Sequence, residues 1–148
     1  MSKSKIYNMK NLLFYVIIYL CLVSCNGDGK LINRGKGTFM TVEALNGDKT
    51  KIKVEFLIAI DLKLGEQKIE AICKDAVLYA DWNAKFKPTY KHSKSATLIC
   101  DEKTGEITAC MNGTAENAYG VPDDVATYIY FNKKGKLKED ADGLPEIL

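Results

Sequence analysis

EQKIEAICKDAVLYADWNAK, residues 66–85, is the stretch that decides the fold. Ile69, Ile72, Cys73, Ala76, Val77 and Ala80 recur every three or four positions, with Lys68, Glu70, Lys74, Asp75 and Asp81 between them. That spacing places the apolar side chains on one side of a helix and the charges on the other. Glu66 opposes the positive end of the helix dipole, and Pro88 lies just past the end, so a helix over 66–85 is predicted. A buried large aliphatic contributes roughly 1.5–3 kcal/mol. The stripe is therefore expected to pack on a sheet and form the centre of the core.

The strands are read outward from this helix. Residues 36–45 and 51–60 make two of them, joined by Asn46-Gly47-Asp48-Lys49, because Asn-Gly adopts the positive φ angles that tight hairpins need. Ile52, Val54, Phe56, Ile58 and Ile60 alternate with Lys51, Lys53, Glu55, Leu57, Ala59 and Asp61. One face is apolar throughout. The other turns apolar at Leu57 and Ala59, which predicts cover on both sides there. After the helix, 95–101 and 106–112 flank a turn in which Gly105 supplies the left-handed residue, and 125–132 is rich in β-branched and aromatic residues. The expected fold is α+β: an antiparallel sheet of about five strands in the order β-β-α-β-β-β, with the helix across one face.

The chain begins differently. Lys3, Lys5 and Lys10 precede an apolar core from Leu12 to Val23, the layout of an export signal. That core is too short to cross a bilayer, which needs roughly 20 helical residues. Leu22-Val23-Ser24-Cys25 resembles the lipobox of bacterial lipoproteins. The resemblance implies cleavage between Ser24 and Cys25, a diacylglycerol on the Cys25 sulfur and an acylated new amino group. It also implies attachment to a lipid bilayer through acylated Cys25, and Asn26 in place of Asp favours an outer membrane where there are two. The expected organisation is a signal peptide over 1–24, a tether over 25–34, one domain over 35–138 and an acidic tail over 139–148.

Cleavage before Cys25 leaves 124 of the 148 residues, enough for a single domain with a real core. It removes three of the 21 lysines and arginines, so 18 basic residues face 19 acidic ones and the net charge is −1. The charge gives no general electrostatic case for nucleic acid.

Ile72-Cys73-Lys74-Asp75-Ala76-Val77, Asn83-Ala84-Lys85-Phe86 and Asn117-Ala118-Tyr119-Gly120-Val121-Pro122 together resemble a group of small exported bacterial domains over residues 66–138. The resemblance implies a helix-on-sheet fold and no shared catalytic activity. In that group the helix cysteine often pairs with a cysteine in the final strand, which this chain lacks. In an oxidising envelope three thiols remain after Cys21 and Cys25 are set aside, predicting one disulfide and one free thiol. Cys73 to Cys100, Cys73 to Cys110, and Cys100 to Cys110 across their hairpin are the open alternatives.

Chemistry-bearing residues are sparse. Cys73, Cys100, Cys110 and His92 lack the short Cys-x-x-Cys spacing of common zinc sites, and Lys91-His92-Ser93-Lys94 reads as a solvated loop. There is no Gly-rich phosphate loop and no Gly-x-Ser-x-Gly elbow. No metal or cofactor is expected. Trp82, Tyr90, Tyr128 and Tyr130 are the candidate binding patch, because amphipathic aromatics suit surfaces that are apolar on one side and wet on the other. The expected function is non-enzymatic binding of an envelope protein or polymer by a lipid-anchored module. The competing readings are a small envelope hydrolase, whose mark would be a pocket joining His92 to Asp123 or a cysteine, and a structural subunit of an envelope complex.

Overall fold

The computed structural model describes residues 29–35, 37–59, 63–84 and 87–138. The signal peptide, Cys25, Phe86 and the acidic tail lie outside the described residues. The architecture is α+β, with one helix and a six-stranded mixed sheet. In chain order the elements are β1 (Leu31–Arg34), β2 (Gly37–Leu45), β3 (Lys51–Ile58), α1 (Glu66–Asn83), a 3-10 turn (Lys87–Thr89), β4 (Lys91–Cys100), β5 (Ile107–Glu116) and β6 (Pro122–Phe131). The strands lie side by side in that same order.

Two expectations are corrected here. The sheet has six strands, not about five, because Leu31–Arg34, read as tether with at most a weak strand, pairs with β2 from Leu31↔Met40 to Arg34↔Gly37. Leu31 packs against the core, and its N–H donates to Glu66 Oε1 at 2.7 Å, which fixes this edge to the start of α1. The sheet is also not wholly antiparallel. β3 and β4 are parallel, from Glu55↔Ser95 to Ile58↔Leu98. A strand that returns beside its predecessor after a crossover helix runs the same way, so the β3-α1-β4 order itself dictates the exception.

The core lies between α1 and one face of the sheet. Ile69, Ile72, Cys73, Ala76, Val77 and Ala80 of α1 are buried, as their spacing predicts. They meet Met40 and Val42 of β2, Val54 and Phe56 of β3, Leu98 of β4, Ile107, Ala109 and Met111 of β5, and Ile129 and Phe131 of β6. Glu70 departs from its expected exposed position. It is buried, and its Oε1 accepts from Gly29 N at 3.2 Å and pairs with Lys74 Nζ at 2.7 Å. The carboxylate thus ties the start of the described chain to the helix.

The β2–β3 turn is held differently from the simple Asn-Gly expectation. Its positive φ falls on Lys49, at 68°, while Gly47 is required for a close approach. The Gly47 N–H donates to the Tyr90 carbonyl at 2.7 Å, and a Cβ on Gly47 would overlap the Lys87 carbonyl oxygen. Gly105 does take the left-handed conformation, with φ 73°, in the β4–β5 turn.

Candidate functional site

A sheet with a helix on one face presents its alternate side chains on the other. Here the face that no described element covers, the uncovered face, carries one continuous cross-strand row. Ile32 pairs with Phe39, Phe39 with Leu57, Leu57 with Thr97, Thr97 with Cys110, and Cys110 with Tyr128. The row contains no charged side chain and crosses all six strands, about 24 Å at the usual strand spacing. A neighbouring row, Ile99–Thr108–Tyr130, widens it on the β6 side.

Within the row Leu57, Ile32 and Tyr128 are exposed, from 37% at Leu57 to 59% at Tyr128, while Phe39, Thr97 and Cys110 are half-buried between them; Ile99 and Tyr130 of the neighbouring row are exposed as well. Leu57 therefore turns apolar within an uncovered patch, not beneath a second layer as its sequence context predicts. Two ion pairs lie at the border of this face. Arg34 meets Glu55 at 2.5 Å, Lys51 meets Glu43 at 2.8 Å, and the Arg34 guanidinium also lies 5.3 Å from the Phe39 ring centre. The face is apolar and aromatic along its middle, with charged residues at its border.

The four candidate aromatics do not form one patch. Tyr128 and Tyr130 lie together on the uncovered face. Trp82 is 50% exposed but belongs to α1, on the other side of the sheet. Tyr90 is only 1% exposed and is part of the core, so it contributes nothing to a surface. The 3-10 turn before β4 and the Gly47 contact draw it inward.

The cysteines are separated in the same way. Cys73 faces the core from α1, and Cys100 lies opposite Ile107 on the helix side of the sheet. Cys110, opposite Thr97, is on the uncovered face. A Cys100–Cys110 bridge is thereby corrected, because the two side chains leave opposite faces of the hairpin, and a Cys73–Cys110 bridge would have to pass through the sheet. All three are free thiols. Burial, reinforced by the Glu70 charge, pushes the Cys73 thiol far up, and burial also raises that of Cys110. Neither has the lowered pKa of an activated nucleophile.

His92, expected in a solvated loop, is 5% exposed. Its backbone N–H donates to the buried Asn46 side chain at 2.9 Å, and its ring stands edge-on to Tyr90 with centres 4.8 Å apart. Among the described residues, both ring nitrogens, the Tyr90 hydroxyl and Asp81 Oδ1 have no hydrogen-bond partner. Asp81 also approaches Lys87, at 3.6 Å, and lines a groove of about 330 Å³ between α1 and the end of β2, together with Lys49, Lys74, Val77 and Leu78. His92 and Tyr90 do not line it. Asp123 is hydrogen-bonded by Asn117 Nδ2 at 3.1 Å, and neither Asp123 nor a cysteine lines this groove. Among the described residues no group of three or more His, Cys, Asp or Glu is placed to hold a metal ion.

Burial keeps His92 neutral, lowering its pKa against a smaller upward pull from Asp81 and the Leu45 carbonyl. The unfolded chain takes up a proton near pH 6.5, whereas the folded chain resists until lower pH. Stability is thus complete above about pH 6.5 and falls as pH drops below it. Denaturation curves from pH 7.5 to 5 are expected to show this loss, and His92→Phe to remove it. His92 is the only histidine in the chain, so its NMR titration reads the folded-state value directly.

Comparison with protein-family models, with curated proteins and with solved structures gave no match.

Proposed function

We propose that this protein is a lipid-anchored module of a bacterial cell envelope that acts by binding, through the uncovered face of its sheet, another protein or polymer of that envelope. The single observation that carries the binding part is the uncharged row from Ile32 to Tyr128. Exposed apolar surface that is contiguous and rimmed by polar residues is characteristic of interaction sites, and tyrosine is enriched among the residues that dominate their energetics. The anchoring part rests on the resemblance of Leu22-Val23-Ser24-Cys25 to a lipobox. Among the described residues no helix is long and apolar enough to cross a membrane, and the acyl chains on Cys25 hold the module at the bilayer, outer where there are two.

Binding is favoured over hydrolysis by the placement of the reactive groups. The row is open to a partner, whereas His92 and Tyr90 are enclosed and burial raises the pKa of the Cys73 and Cys110 thiols, away from thiolate. A structural subunit of a larger assembly would use the same face, and differs only in how permanent the contact is.

The test is capture from detergent-solubilised envelope on the wild-type chain, compared with Leu57→Lys and Tyr128→Lys. A lysine within the row leaves an ammonium group to be desolvated against the partner. Each substitution is expected to weaken binding by about 30-fold, corresponding to about 2 kcal/mol for a central contact. Lys68→Ala, on the exposed side of α1, is expected to leave it unchanged. Retention of the same captured species by both row variants would remove the proposed surface.

A further inference from the structure

We infer that the outer edge of β6 is a self-association edge, at which two copies of this chain pair antiparallel through residues 124–128 and join their two sheets into one. β6 is the last strand of the sheet. On its outer side, among the described residues, it is hydrogen-bonded only at its end, where Lys138 N–H donates to the Tyr130 carbonyl at 2.8 Å and Leu137 bridges to Phe131. Since the Tyr130 carbonyl points outward and strand residues alternate, the N–H and C=O groups of Asp124, Ala126 and Tyr128 point outward too. Those of the intervening residues are used in the unbroken ladder with β5, from Ile107↔Phe131 to Glu116↔Pro122.

Exposed edges are normally blunted by lysine, proline, a bulge or a covering segment. β6 has such devices only at its ends: Pro122, Asp123 and Asp124 at one, Leu137 and Lys138 at the other. Between them Val125-Ala126-Thr127-Tyr128-Ile129 carries no charge, no proline and no bulge. An antiparallel partner must offer outward groups at the same spacing over the same length. A second β6 does so by symmetry, and pairing centred at Ala126 brings the uncharged residues 125–127 together, sets Asp124 opposite Tyr128 at each end and leaves Pro122, which has no N–H to give, beyond it.

The side chains agree with this occupant. A two-fold axis normal to the sheet keeps both helices on one side and both uncovered faces on the other. The small Ala126 side chains meet at the axis, the β-branched Val125 and Thr127 stand across from each other's strand, and Tyr128 and Tyr130 of each copy flank the seam. Cross-strand pairs of β-branched and aromatic residues are favourable. The pairing doubles the length of the apolar surface without covering it, and it depends on neither the lipid nor any outside ligand.

Sedimentation equilibrium of the purified full chain in density-matched detergent tests the inference. Wild type is expected to dimerise, and Leu57→Lys, which alters the face but not the edge, to dimerise equally. Ala126→Pro removes one outward N–H and none of the ladder to β5, a place where edge strands accept proline. It is expected to weaken association by at least about tenfold with an unchanged far-UV spectrum. Ala126→Lys, which sets two like charges at the axis, is expected to do the same and serves if the proline variant misfolds. A wild-type chain that stays monomeric to roughly 100 μM, or a dimer indifferent to both Ala126 variants, overturns the inference. So does dimerisation seen only after the chain is cut following Lys138, which would mean that residues 139–148 occupy the edge. Because capture of an envelope partner is a separate measurement, loss of capture by Leu57→Lys with the dimer intact leaves the edge pairing standing.

Discussion

Gly47→Ala is expected to be the most damaging single-atom addition in the domain. Gly47 sits where the β2–β3 turn meets the 3-10 turn before β4. Its N–H bonds the Tyr90 carbonyl at 2.7 Å, and an added Cβ would overlap the Lys87 carbonyl oxygen and lie 2.8 Å from the Pro88 carbonyl carbon. These are backbone atoms, so no side chain can rotate aside. The two turns must separate, which strains the Gly47–Tyr90 bond and the neighbouring bond from His92 N to Asn46 Oδ1 at 2.9 Å. Tyr90 and His92 would then lose the contact that holds them in the core. A loss of about 4 kcal/mol or more is expected, in the range reserved for core or backbone disruption. Denaturant unfolding of Gly47→Ala beside Gly65→Ala measures it. Gly65, at the start of α1, has open space around a built Cβ and should lose less than about 1 kcal/mol. Equal midpoints for the two variants would mean that the turns are not clamped together.

The second large effect is expected at Phe56. This ring is fully buried, paired with Met40 on β2 and with Ala96 on the parallel strand β4. It lies in the sheet's centre beneath α1, with strands on both sides to keep the backbone from collapsing into a void. Phe56→Ala should therefore lose about 3–5 kcal/mol, the transfer term plus an unrelaxed cavity. Against a total stability of about 5–15 kcal/mol, the variant would be marginal near physiological temperature. Tyr128→Ala, on the opposite face and 59% exposed, should lose less than about 1 kcal/mol. The contrast between these two aromatics, measured by the same denaturation midpoint, separates the core face from the uncovered face. Similar losses at both would mean that the second face is also packed.

Much of the fold was legible in residues 66–85 because a single period carries it. The stripe from Ile69 to Ala80 names the buried face, and the two hairpins follow from alternation and turn residues. What escaped was set by contacts distant in sequence. Leu31–Arg34 has one inward and one outward apolar residue, too little alternation to mark a strand, and it becomes one because β2 offers an edge and Glu66 a hydrogen bond. Pairing of β3 with β4 leaves no local trace either, although a strand, a helix and a strand in succession already suggest it.

The candidate surface was only partly legible. Tyr128 and Tyr130 could be picked from the alternation of the last strand, but their companions could not. Phe39, Leu57, Thr97 and Cys110 become one row only through the registers of five strand pairs. The one local signal was Leu57, an apolar residue on the otherwise charged side of its strand. Tyr90 and His92 misled for the opposite reason. Both sit among lysines in sequence, and β4 starts earlier than its apolar pattern indicates, with a register shift between His92 and Ala96 that keeps His92 on the helix side.

The surface claim is tested most directly by site-specific photocrosslinking in intact envelopes. A photoreactive residue is placed at Tyr128 or Ile99 on the uncovered face, and at Leu78 or Trp82 on the exposed side of α1. Discrete adducts from the first pair, with little from the second, are the predicted result. Adducts confined to the helix positions, or absent from all four while the protein is folded and membrane-bound, would contradict it.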